Sequence, residues 1–125
     1  MTRDIPRDQW REELDSFSRQ HEGWIVRVRV TGPDGRTATE ARDVPLQGVS
    51  ADSPRLDALA IVVGCADRVT HEVRSPVAVA IELTDEGAER ALSIRARDGS
   101  RTVVEFRSPM RALDVDGIPN LPTNR

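Results

Sequence analysis

The first two dozen residues place their apolar side chains at the spacing of one helical face. Trp10, Leu14 and Phe17 recur at i, i+4 and i+7, while Arg7, Asp8, Arg11, Glu12, Asp15 and Arg19 fill the opposite face. Asp4 is placed to cap such a helix, and Pro6 falls in its first turn, where a missing N–H costs nothing. Gly23 suits the left-handed residue just past the end. The pattern predicts an amphipathic helix that docks through Trp10 and Phe17.

From Trp24 the period changes to two. Trp24, Val26, Val28 and Val30 face one way and Arg27 and Arg29 the other, the signature of a half-buried strand. Gly32-Pro33-Asp34-Gly35 is turn chemistry. The segment from Thr37 to Gly48 alternates but contains Pro45, which restricts it to an edge or a bulged strand. Leu59, Ile61 and Val63 share one face of the next run; Val69, His71 and Val73 are in phase after it, as are Val77, Val79, Ile81 and Leu83. Residues 92–97 are expected to pair with 102–107 across Asp98-Gly99, read as a two-residue hairpin turn, with Val104 and Phe106 on one face.

After Ser108 the composition shifts to Pro109, Gly117, Pro119 and Pro122, so residues 109–125 are expected to form an extended or disordered Pro-rich tail. The remainder, 1–108, reads as a single helix-plus-β domain. The expected fold class is α+β, mostly β: an N-terminal amphipathic helix followed by five to seven antiparallel strands. These strands would form a small β-barrel or a strongly curved sheet, in the Sm or SH3-like manner.

Arg3-Asp4-Ile5-Pro6-Arg7-Asp8-Gln9-Trp10 and Phe17-Ser18-Arg19-Gln20-His21-Glu22-Gly23-Trp24 resemble a bacterial family of short proteins catalogued only as a domain of unknown function. The likeness extends through Ala41 to Asp52, Thr70-His71 and Phe106-Arg107-Ser108-Pro109. The resemblance implies no activity, cofactor or site residue.

A chain of 125 residues can bury a core without a metal or disulfide staple. Its 21 acidic and 18 basic residues leave a net charge of -3, the wrong sign to drive non-specific nucleic-acid binding. Every basic residue is arginine, which stays charged and pairs bidentately with carboxylates. Cys65 has no intrachain disulfide partner, the N-terminus lacks an apolar signal-peptide core, and no apolar run approaches membrane length. A cytoplasmic protein is expected.

Cys65 and His71 are the residues worth testing for chemistry. A nucleophilic thiolate needs a cation or histidine beside it, and His21 and His71 are the two histidines available. Zinc ligands at close paired spacing are lacking, as is a glycine-rich phosphate loop, so neither metal nor cofactor is expected. His21, near the helix C-terminus on the Trp10 face, suits a structural cation complementing the helix dipole and neighbouring Glu22.

The hypothesis with geometry behind it is an arginine stripe. Arg27, Arg29, Arg95, Arg97 and Arg107 fall on outward strand phases and, on adjacent strands, would hold phosphates or an acidic partner. Glu82 and Glu105 share those phases, and all four aromatic residues face the core, leaving no ring for a base to stack on. The expectation is therefore a non-enzymatic interaction module that binds a protein partner or associates with itself, with no small-molecule ligand. An Sm-like nucleic-acid-binding protein is the alternative, and an enzyme built on His71 and Cys65 ranks last.

Overall fold

In the computed structural model, which describes residues 1–51 and 54–110, the chain opens on a strand rather than on the helix. This strand, β1 (Thr2–Ile5), is followed by Pro6, a 3-10 turn (Arg7–Gln9) and the helix α1 (Trp10–His21). Seven strands follow: β2 (Ile25–Thr31), β3 (Thr37–Ser50), β4 (Ala58–Val63), β5 (Val69–Arg74), β6 (Pro76–Leu83), β7 (Glu89–Ala96) and β8 (Arg101–Met110). The expected cap at Asp4 does not form, because Asp4 lies in the ladder opposite Ala80 while Ile5 is buried opposite Val79.

The strands form one sheet in the order β1-β6-β7-β8-β2-β3-β4-β5, with every pairing antiparallel. Eight strands stand where five to seven were expected, β1 being the addition, and the sheet is not closed: β1 and β5 are its edges. Fold class is mostly β with one short helix near the N-terminus. Among the described residues no helix is long and apolar enough to cross a membrane.

Pro45 marks the point at which β3 changes partner. β3 pairs with β2 as far as Pro45, opposite Ile25, and with β4 from Leu46 onward. Asp43 takes a positive φ of 53°, and the ladder slips between Leu46 and Gly48. A residue without an N–H is tolerated at such an irregularity, so β3 is a bulged central strand and not an edge.

The helix rests on β3. Trp10, Leu14 and Phe17 are all buried, packed with Val26, Val28, Leu46, Ile61, Leu92, Ile94, Val104 and Phe106 in one core. Trp10 donates its indole N–H to the Ile5 carbonyl at 2.9 Å, so the largest core side chain leaves no polar atom unpaired. Behind it, Ser18 Oγ accepts the Val49 N–H at 2.8 Å, beside the ladder slip. Gly48 lies beside this hydroxyl, where a Cβ would meet Ser18 Oγ at 3.5 Å, an ordinary contact distance. Ser18→Ala strands that N–H and should destabilise the fold by about 1 kcal/mol. Urea titration should show a lower midpoint with an unchanged slope.

The β7–β8 hairpin differs from expectation by one residue. Ala96 N–H donates to Ser100 O at 2.9 Å and Gly99 N–H to Ala96 O at 3.1 Å, so the loop is Arg97-Asp98-Gly99. Gly99, at φ 94°, takes the left-handed position that ends a three-residue hairpin loop. The pleat itself requires this: with Arg95 outward and Thr102 inward, a two-residue loop would set the two against each other on opposite faces. β8 continues to Met110, and residues 111–125 of the expected tail lie outside the described residues.

Candidate interaction surface

Burial of Val26, Val28, Leu92, Ile94, Val104 and Phe106 fixes which face of β2, β7 and β8 turns outward. Three rows cross that face. Glu82, Ala91, Glu105 and Arg27 are successive partners in the first, Ala80, Ser93, Val103 and Arg29 in the second, and Ala78, Arg95, Arg101 and Thr31 in the third. Rows lie about 7 Å apart, the rise of two strand residues. Arg27, Arg29, Arg95 and Arg101 thus stand on one continuous surface over a floor of small side chains.

The carboxylate within this group is Glu105. Arg27 reaches it at 2.6 Å and Arg29 at 3.4 Å. The Arg27 hydrogen bond, opposed by partial burial and aided by the charges of Arg29 and Arg90, holds the Glu105 carboxyl below the usual range. Arg29 keeps its Nε buried without a hydrogen-bond partner. Farther along, Arg95 and Arg101 are direct cross-strand partners, an arrangement in which like charges repel at about 5 Å between Cβ atoms. Neither has an ion-pair partner among the described residues.

Beside Glu105 the surface dips into an open cleft of about 350 Å³ lined by Arg27, Asp43, Thr84, Arg90, Glu105, Phe106 and Arg107. The cleft forms where the β7–β8 ladder breaks: Ala91 opposes Glu105, yet Glu89 opposes Met110, so β8 bulges between. Of the five arginines expected on the stripe, the structure gathers Arg27, Arg29 and Arg95 on the outward rows and sets Arg107 at the cleft. Arg97 is excluded from the rows, because the third loop residue moves it into the turn. Arg90 and Arg101 belong to the surface and were missed. Arg101 was legible, since it shares the outward phase of Glu105 and Arg107; Arg90 depended on the ladder break.

The other candidates lie apart from this face. Cys65 is exposed in the β4–β5 turn, and His71 is half-buried on β5 opposite Ile61, its Nε2 buried without a partner. No hydrogen bond joins them, and no group of three metal-ligating residues occurs among the described residues.

His21 has a different setting from the one expected. It is 2% exposed, stacked on Phe106 at 4.7 Å, edge-on to Trp24 at 4.5 Å and tilted against Phe17 at 4.5 Å. Its Nδ1 lies 2.8 Å from the Phe17 carbonyl and its Nε2 3.1 Å from Glu89 Oε1. Both partners are acceptors, so each contact is made by a ring N–H of His21. The partner is therefore Glu89 on β7, across the core, and not Glu22. The His21 hydrogen bond, opposed by burial and aided by the charges of His21 and Arg3, holds the Glu89 carboxyl below its usual range.

A family model described as a family of unknown function (DUF5335) matches residues 1–115. No curated protein and no solved structure matches the chain.

Proposed function

Given that the chain belongs to this family of unknown function, we propose that it is a non-enzymatic interaction module whose outward arginine face takes an acidic segment of a protein partner. One observation carries the reading: four arginines share one outward face, of which Arg27 and Arg29 are held by Glu105 while Arg95 stands directly opposite Arg101 with no carboxylate of the described residues between them. A like-charged pair beside the β7–β8 turn is unfavourable in the free protein and is relieved by a partner's carboxylates between the two forks. Carboxylates suit the face better than nucleic acid because Phe106 and Trp10 are buried, Phe17 likewise, and Trp24 is packed against the core. No aromatic ring is left on the arginine rows for a base.

Fluorescence anisotropy with a labelled hexaglutamate peptide tests the proposal. Binding is expected at low salt, weakening as salt is raised, and Arg95→Glu/Arg101→Glu should weaken it by about tenfold or more. Absence of peptide binding at about 50 mM salt, together with capture of mixed-sequence RNA, would overturn the reading in favour of the nucleic-acid alternative.

A further inference from the structure

We infer that two copies of this chain pair through the β5 edge, antiparallel and centred on Thr70. The edge is open: β5 ends the sheet order, and no other strand of the described residues pairs with its outer side. Its backbone phase is fixed by the Ser75 N–H, which donates to Asp57 O at 2.8 Å, and by the Gly64 N–H, which donates away from β5 to Pro45 O at 2.9 Å. Counting back in alternation, residues 73, 71 and 69 turn their N–H and C=O toward β4, while Thr70 and Glu72 turn theirs outward.

A continuous antiparallel sheet across a two-fold axis keeps each face on one side, so the axis must pass through a residue and not between two. Three centres are available. Centring on His71 opposes Arg68 to Arg74 of the second copy, twice. Centring on Glu72 opposes the two Glu72 carboxylates. Centring on Thr70 opposes Arg68 to Glu72 twice, Val69 to His71 twice, and Thr70 to itself.

The stretch Arg68-Val69-Thr70-His71-Glu72 is thus self-complementary in charge on its outer side. Val69, 50% exposed in the single chain, gains a neighbour on the inner side. At the centre each Thr70 has both backbone groups free to exchange hydrogen bonds with its symmetry mate. The intrastrand pair of Arg74 with Glu72 is 85% and 51% exposed, too weakly held to compete. This contact is independent of the arginine face, which lies on β2, β7 and β8.

Light scattering against concentration tests the dimer. The 125-residue chain should rise in mass from 13.9 kDa toward twice that value. Thr70→Pro should remain monomeric and folded, because the lost N–H faces away from β4. Arg68→Glu and Glu72→Arg should each weaken self-association by roughly tenfold or more, since each opposes like charges across the axis. An equimolar mixture of the two, or the double variant, should recover the dimer. A monomeric mass up to about 1 mM overturns the proposal, as does a dimer unaffected by the proline or by both charge reversals.

Discussion

Trp10→Ala should destabilise the protein by about 4 kcal/mol, in the range for removing a fully buried tryptophan. Trp10 is 1% exposed, and at the first residue of α1 it lies in the core cluster with Ile5 of β1. Its loss also strands the Ile5 carbonyl, which now accepts the indole N–H. Arg7 adds to the effect. Its guanidinium lies 4.8 Å over the indole and donates to the carbonyls of Arg55 and Leu56, both at 3.1 Å. Removing the ring frees the arginine that ties the 3-10 turn to the connection before β4. Equilibrium urea unfolding checks the figure, and a loss below about 1 kcal/mol would mean that the site collapses around the smaller side chain.

Glu89→Ala should cost about 2 kcal/mol near neutral pH, less than the full penalty for breaking a buried ion pair because the carboxylate is 27% exposed. The variant leaves the His21 Nε2 facing no acceptor inside a box of three aromatic rings. The pH dependence has a definite sign. Glu89 titrates below its ordinary value of 4.5 in the folded chain, so its stabilisation is complete above that value. It is lost as pH falls through the lowered one. Thermal midpoints of the natural protein should therefore drop on acidification below about 4.5 more steeply than those of Glu89→Ala. Parallel pH profiles for the two proteins would remove His21–Glu89 as a source of acid sensitivity.

The helix was legible because Trp10, Leu14, Phe17 and Gly23 each state a local rule that the tertiary structure obeys. β1 was hidden for the opposite reason. Thr2-Arg3-Asp4-Ile5 has one buried side chain and becomes a strand only because β6 offers an edge some eighty residues away. Four of the six arginines on the surface (Arg27, Arg29, Arg95 and Arg107) followed from alternation on β2, β7 and β8. The composition at its ends did not, because one extra loop residue removed Arg97 and a break in the ladder admitted Arg90. His21 shows the same limit. Its position on the buried helix face was readable from spacing, whereas its pairing with Glu89 depends on where β7 lies.

The position of β2 between β3 and β8 also governs how the chain can be made. β2 and β3 are joined by a short turn and can pair as soon as both exist, but the other side of β2 is covered by β8, from Val26 opposite Phe106 to Thr31 opposite Arg101. At ordinary translation speeds the seventy residues between Thr31 and Arg101 take roughly 4–14 s to synthesise. During that interval a Val-rich edge with unpaired backbone groups has no β8 to cover it. Alternating Arg27 and Arg29 with the valines places two fixed positive charges on that waiting edge, a safeguard against premature pairing with a neighbouring chain. The same arginines that mark the finished surface thus stand where charge opposes premature pairing of that edge.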